Sequence, residues 1–283
     1  MKTIKEYNYH VQIVNIKLLS NNRHGDNAYR EIITEIYKNK IRVPVRGGKS
    51  AILRTLFTDT YEGTDVIYGK FSKFTVIDGD DWLNLENMEV ENVEIPANKF
   101  PNLVESDYIF IPKAHRFAVI LATGININAV AQFFQKSIPQ ILGQNEDFEV
   151  IIEQSEDVFE QIFNAEIVRR LFIRITYSNA DTGNSAYKFM DNELKESNIG
   201  KLDISAVPDH NKNIHTNTTL ISGALEVAKS NGYATATIIE NGRRVDIDTQ
   251  AHPKTLRIKS EIAMVKKKIF DKIIELYRNH DRS

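Results

Sequence analysis

Apolar and polar positions alternate along the first stretch of the chain. Tyr7, Tyr9, Val11 and Ile13 fall on one side and Val14, Ile16 and Leu18 on the other after a crossover. A period of two predicts a long strand. The period lengthens beyond the polar turn at 21–27, where Ile32, Ile33, Ile36 and Tyr37 recur at helical spacing over Ala28 to Lys38, with Asp26 or Asn27 as the expected N-cap. Two glycines, Gly47 and Gly48, separate the runs Ile41 to Arg46 and Ala51 to Phe57. Both can adopt positive φ, which predicts a tight hairpin. Strands are expected again at Val66 to Ile77, Tyr108 to Ile111 and Phe117 to Ala122. The Asn-rich, acidic stretch between the first two of these carries two prolines and reads as a long irregular connection. Asn128 to Leu142 predicts a helix that is interrupted or ended near Pro139.

The second half mixes the two periods at closer intervals. Strands are predicted at Phe148 to Ile152, Ile167 to Tyr177, Lys201 to Val207, Tyr233 to Ile239 and Arg244 to Asp248, the last two joined by the hairpin pair Asn241-Gly242. Helices are predicted at Glu156 to Phe163, Ser185 to Glu196 and Thr218 to Ser230. A final helix from Ser260 to about Tyr277 carries Ile262, Val265, Ile269, Ile273 and Leu276 in steps of three or four, and Phe270, Ile274 and Tyr277 widen that stripe. The stripe has to be covered, either by the C-terminal sheet or by a dimer partner. Together these elements predict an α+β protein of two mixed sheet-and-helix subdomains, residues 1–145 and 146–283, closed by a long amphipathic C-terminal helix that can serve dimerisation.

Composition narrows the chemistry. The 283 residues include no cysteine, which excludes disulfides, thiol nucleophiles, thiolate zinc sites and iron–sulfur ligation. No apolar run approaches the roughly 20 residues that span a bilayer, and the opening MKTIKEYNYH is polar where a signal peptide is apolar. A cytoplasmic protein without membrane insertion is the expectation. With 36 Lys and Arg against 38 Asp and Glu, the net charge is −2. Any binding to a polyanion has to come from local clusters of cations rather than from the field of the whole molecule.

Several strings imitate catalytic motifs without completing them. Arg46-Gly47-Gly48-Lys49-Ser50 ends like a phosphate-binding loop, yet Val43 stands where the first glycine is required and a strand pattern follows where a helix is required. A glycine hairpin is the better reading, with Arg42, Arg46, Lys49 and Arg54 as a cationic ribbon along it. Asp78, Asp80 and Asp81 lack the spacing and closing Glu of a calcium loop. His210 and His215 lack the i, i+4 helical spacing around a Glu that zinc hydrolases use, and read as loop residues. Glu193-Leu194-Lys195 matches a nuclease motif by letter but lies on a predicted helix rather than on a strand. Neither a cofactor nor a metal is called for. Three further basic clusters stand out: Arg169, Arg170 and Arg174; Arg243 and Arg244; and Lys266, Lys267 and Lys268. Such a cluster is more often a solvated face than a binding site.

Three strings carry a resemblance: Tyr68-Gly69-Lys70-Phe71-Ser72-Lys73-Phe74, Ile77-Asp78-Gly79-Asp80-Asp81-Trp82-Leu83-Asn84 and Phe110-Ile111-Pro112-Lys113-Ala114-His115-Arg116. Their order resembles the bacterial family catalogued as domain of unknown function 4747, and the likeness continues through Asn164 to Asn179 and to His252-Pro253. Tyr177-Ser178-Asn179-Ala180-Asp181 departs from it where Pro-Asn-x-Asp is expected. The order of elements in the C-terminal half also resembles the RexA phage-exclusion protein. That second likeness implies a dimer that binds DNA with little sequence preference and acts in defence against phage.

The combined expectation is a non-enzymatic, homodimeric DNA-binding or sensing component of a bacterial anti-phage system. Arg42, Arg46, Lys49, Arg54, Arg169, Arg170, Arg174, Arg243, Arg244, Lys266 and Lys267 are its expected phosphate contacts, and another defence-system protein is its possible partner. A divergent metal-dependent nuclease and a protein-binding adaptor acting through the last helix are the alternatives.

Overall fold

A computed structural model describes residues 5–20, 22–176 and 185–279, with side chains left aside at 185–186 and 276–279. The departure at Tyr177 to Asp181 and the side chains of Leu276 and Tyr277 therefore lie outside the described residues. The chain is α+β, as its mixed periods predict. It begins with β1 (Tyr7–Leu19), α1 (Gly25–Lys38), the hairpin β2 (Val43–Val45) and β3 (Lys49–Leu53), and a second hairpin β4 (Phe57–Tyr61) and β5 (Thr64–Thr75). The acidic connection then forms the small ribbon β6 (Trp82–Leu83) and β7 (Val90–Glu91) before β8 (Val104–Ile111), β9 (Arg116–Ile120) and α2 (Ile127–Ser137). The second half runs through β10 (Asp147–Ile152), α3 (Glu156–Phe163), β11 (Ile167–Thr176), α4 (Ser185–Glu196), β12 (Lys201–Ala206) and α5 (Thr219–Asn231). It closes with β13 (Gly232–Glu240), β14 (Arg243–Asp248), β15 (Thr255–Ser260) and α6 (Val265–Asn279).

Two sheets organise these elements. The larger has nine strands in the order β10-β1-β9-β8-β5-β3-β2, with β15 also pairing with β1 and β4 with β5. The smaller is the antiparallel sheet β12-β11-β13-β14. The large sheet thus takes strands from both sides of the expected division at 145: β10 and β15 pair with successive halves of β1. Strand β1 is long enough to hold both, since its 13 residues pair with β9 over Val11 to Asn15 on one edge and split the other between two short strands.

Both faces of β1 are buried, which is why its pattern is apolar on two sides. Val14, Ile16 and Leu18 pack with Ile32, Ile33 and Ile36 of α1 and Phe133 and Phe134 of α2. Val11 and Ile13 face the other way, into a core shared with Ile109 and with Val265, Ile269, Phe270, Ile273 and Ile274 of α6. The apolar stripe of the last helix is accordingly spent within the chain, on the large sheet rather than on the C-terminal sheet, and Ile262 remains exposed ahead of it. Burying a side chain of this size contributes about 1.5–3 kcal/mol, so α6 is an integral layer of the fold and its stripe does not offer a dimer contact. The helix also starts one turn later than its sequence pattern, because Ser260 ends β15.

Further along that face of β1 the pattern turns polar. Asn15 and Lys17 are each only 2% exposed. Asn15 Nδ2 donates to Ser230 O at 3.0 Å and to Asn231 Oδ1 at 3.2 Å, joining the large sheet to the end of α5. Asn231 in turn donates to the Tyr187 hydroxyl on α4. Gln154 Nε2 donates to Gly232 O at 2.6 Å, and Lys201 pairs with Glu149 at 2.5 Å. A buried polar group costs stability unless it finds such partners, so these bonds fix how the C-terminal subdomain sits on the large sheet.

Local expectations meet the structure in most places. Asn241 and Gly242, with φ of +48° and +71°, form a two-residue hairpin of the type that requires positive φ twice, whereas Gly47 and Gly48, at +86° and +65°, belong to a three-residue loop with Arg46, since Val45 lies opposite Lys49. Asn126 caps α2 by accepting from Ala129 N at 2.9 Å, and Pro139 falls in the 3₁₀ turn that ends it. Helix α1 differs from expectation. It begins at Gly25 behind His24 with no side-chain cap, and Asp26 sits in the first turn, where its charge favours the helix dipole.

Candidate nucleic-acid interface

The small sheet is built with one dry face and one wet face. Leu171, Ile173 and Ile175 of β11 and Ala234, Ala236 and Ile238 of β13 point into a core with Leu225 and Ala228 of α5, Met190 and Leu194 of α4 and Phe159 of α3. The alternate residues face outward, where no helix among the described residues packs on them, although at the Arg174 and Tyr233 end the face meets β10 and Gln135 of α2 across a shared cavity. A bulge between Val168 and Arg170 sets this phase: Arg169 is the extra residue, and its Nη1 donates to Lys212 O at 3.3 Å. Beyond it Arg170, Phe172 and Arg174 share the open face.

Cross-strand register places their neighbours. Arg170 lies opposite Thr237, which lies opposite Asp246; Phe172 lies opposite Thr235 and then Asp248; Arg174 lies between Asp203 and Tyr233. The close approach of β13 to β11 at this end depends on Gly232, because a Cβ there would stand 1.9 Å from the Arg174 carbonyl oxygen. Rings and guanidinium group together: Phe172 and Tyr233 are 5.9 Å apart, and Arg174 Cζ is 5.8 Å from one centroid and 5.7 Å from the other. These are cation–π distances.

Two ion pairs form on this face. Arg174 makes a two-pronged bond to Asp203, at 2.7 and 2.5 Å. That bond raises the already high pKa of the guanidinium and holds the Asp203 carboxyl below the usual carboxylate range. Arg244 approaches Asp246 at 3.1 Å. Asp246 is held low first by the Thr237 hydroxyl, then by Arg244, with a lesser contribution from Arg170. Arg243 lies opposite Glu240 at the hairpin end. Arg170, Arg174 and Arg244 therefore share one face with Asp203, Asp246 and Asp248, and the patch is charge-balanced rather than strongly basic.

The remaining expected contacts lie on the large sheet. Arg42 stacks on Phe100 at 4.9 Å, the Arg46 backbone N–H donates to Gln132 Oε1, Lys49 Nζ donates to Thr75 Oγ1 at 2.5 Å, and Arg54 is paired with Glu105. Burial works to raise the Glu105 carboxyl, and hydrogen bonds from Ser72 and Arg54 outweigh it and hold it low. Lys266 sits 3.8 Å above the Tyr68 ring, and Lys267 neighbours it on α6. The structure thus groups Arg170 and Arg174 with Arg244 and leaves Lys266 and Lys267 on another layer. The acidic residues from Asp78 to Glu94 belong to the connection between β5 and β8. Sequence reading missed Phe172, Tyr233 and Asp203, although an aromatic at an outward position of a half-exposed strand is a signal it could have used.

Among the described residues no three His, Asp or Glu side chains come together in a way that could hold a metal ion. His210 and His215 lie in the loop before α5, and Glu193 and Lys195 lie on α4. No helix of the described residues is long and apolar enough to cross a membrane.

The class these features define is an α+β protein with an open, four-stranded sheet face bearing arginine and aromatic side chains. Residues 7–275 match the model of the domain of unknown function DUF4747, and the chain belongs to that family. No curated protein matches it.

Proposed function

We propose that the open face of the small sheet binds single-stranded nucleic acid without chemistry of its own. The observation that carries this reading is the grouping of Phe172, Arg174 and Tyr233 toward one end of a face that also holds Arg170 and Arg244. Single strands are bound by stacking bases on aromatic rings and guanidinium planes while cations track the phosphates. Here rings and guanidinium are held by the sheet, and Thr235 and Thr237 add hydroxyls between them. The balanced charge of the face predicts moderate affinity, because a phosphate has to compete with Asp203 and Asp246 for the arginines. An open sheet face with outward rings also favours splayed bases over a duplex. A role in phage defence draws its support from the RexA resemblance, and nucleic-acid binding stands without it.

The test is fluorescence anisotropy with labelled single-stranded DNA and RNA and with duplex DNA, at two salt concentrations. Single strands are expected to bind more tightly than duplex. Arg170→Ala with Arg174→Ala is expected to flatten the salt dependence by roughly one unit per lost phosphate contact. Tyr233→Ala is expected to weaken single strands by about 1–3 kcal/mol and leave duplex binding little changed. Absence of binding at low salt would overturn the proposal.

A further inference from the structure

A groove runs along the free edge of β10, where the two sheets meet. Phe148, Glu149, Val150 and Ile151 line one cavity of about 340 Å³ together with Arg174, Tyr233, Gln135 and Gln250. A second cavity, of about 370 Å³, shares Gln135 and Gln250 and continues past Ile152 and Gln132 to Arg46 and Lys73. Four consecutive residues of one strand can line a cavity only if the strand presents its edge, since its side chains alternate between faces.

The hydrogen-bond pattern shows which groups that edge offers. Ile16 N donates to His115 O and Leu18 N to the Tyr29 hydroxyl, so these amides point away from β10. The ladder bonds then fall to Asn15, Lys17 and Leu19, opposite Ile151, Glu149 and Asp147. Phe148, Val150 and Ile152 consequently turn their backbone groups outward. Asp147 Oδ1 takes the Phe148 N–H at 2.8 Å, and Gln154 Nε2 reaches Ile152 O at 3.4 Å. Two donors, Val150 N and Ile152 N, and two acceptors, Phe148 O and Val150 O, face the groove without a partner among the described residues. An open strand edge of this kind is a template for a further strand.

The walls select the strand. Gln132 and Gln135 of α2 stand on one side and Gln250 on the other, and primary amides can bond to a passing peptide as donors and acceptors. Arg46 and Lys73 close one end with no carboxylate partner among the described residues, and Glu149, the acidic side chain in the groove, is engaged by Lys201. We infer that β10 is a docking edge for an extended acidic segment of a partner protein, which adds as a strand to the large sheet and places carboxylates at Arg46 and Lys73. Main-chain bonds supply affinity in this mode and alternate side chains supply specificity.

The experiment uses the full chain and a labelled pool of capped octapeptides with Glu at alternate positions and aliphatic residues between. Val150→Pro removes an outward N–H and blocks the edge while leaving the bonds to β1, and proline is tolerated on edge strands. The pool is expected to bind, with at least roughly tenfold loss in Val150→Pro and in Arg46→Glu with Lys73→Glu, and with no binding of the matching Lys pool. Circular dichroism confirms that the variants fold. No binding of the Glu pool by the wild type up to millimolar peptide would overturn the inference. So would binding that survives Val150→Pro. If single-stranded oligonucleotide displaces the pool and is lost in the Arg46 and Lys73 variant, the groove is a polyanion site and the inference fails. A concentration-dependent dimer abolished by Val150→Pro would likewise replace it with self-pairing. Arg174 and Tyr233 line this groove as well as the open face, so the two readings are separated where they do not overlap: Phe172→Ala is expected to weaken single strands and spare the peptide pool, and Arg46→Glu with Lys73→Glu to do the reverse.

Discussion

The two sheets solve the same problem in different ways. The large sheet is covered on both sides, by α1 and α2 on one face and by α6 and the C-terminal subdomain on the other. Among the described residues, helices cover the small sheet on one side only. Polar residues record the difference. Within the covered part of the large sheet they are tied down, as where Arg116 and Glu153 form a buried pair at 2.5 Å and Arg116 also donates to Ala114 O, while exposed pairs such as Lys70 with Asp107 lie nearer its rim. On the small sheet they occupy an entire face and pair with one another in reach of water. A buried pair is costly to break, whereas an exposed one is nearly free to exchange partners.

Substitution on the covered side is expected to have the largest effect. Ile269→Asp places a carboxylate between α6 and the large sheet, where Ile269 is 2% exposed. A loss of several kcal/mol, about 4 or more, is expected from the buried charge. Thermal denaturation should show a collapse of stability, with no folded monomer released from a dimer. A folded variant of near-normal melting temperature would mean that α6 is not part of the core.

An intermediate effect is expected where the β1 and β10 ends are tied together. Glu146 accepts from Arg23 at 2.9 and 2.6 Å, from Ser20 at 2.7 Å and from Gly143 N at 2.8 Å. The Arg23 bond, more than any other, holds its carboxyl down at about 2. Glu146→Gln should cost about 1–3 kcal/mol at neutral pH. Because the folded-state pKa is depressed, the stabilisation is present above the ordinary carboxylate value of 4.5 and is lost as pH falls toward about 2. The gap in stability between wild type and variant should therefore close across that window. A gap that stays constant with pH would show that the charge of Glu146 is not what stabilises.

The smallest effect on stability belongs to the open face. Asp203→Asn removes the charge that holds Arg174, a pair in which both side chains keep more than a third of their surface exposed. Less than about 1 kcal/mol of stability should be lost. Binding should move the other way, since Arg174 becomes free for phosphate, and affinity for single strands is expected to rise. Unchanged affinity would remove Arg174 from the proposed interface and blur the contrast between the sheets.

Much of the local structure was legible because it depends on near neighbours. Asn241-Gly242 and Gly47-Gly48 announce hairpins, since positive φ at two successive positions needs those residue types. The hairpin at Glu62-Gly63, with φ of +50° and +74°, was not legible because its first residue is not one that favours that conformation. Strand β15 alternates cleanly, with Leu256 and Ile258 buried between exposed Thr255, Arg257 and Lys259, the pattern of a strand with one face covered. Of the site, the sequence offered the arginines but not the company they keep.

By itself the sequence determined which segments are helix or strand, which of their sides are apolar, and where glycines turn the chain. Those properties follow from periodicity and backbone sterics over a few residues. Only the tertiary structure decided that β10 and β15 join β1, that α6 covers the large sheet, that Arg174 meets Asp203 and Tyr233, and that the edge of β10 is left open. These are pairings between positions up to about two hundred and fifty residues apart. Any apolar stripe can bury itself against any other, so the choice among them rests on the shape and polar complementarity of the whole, which Asn15 and Gln154 help to enforce from inside the fold.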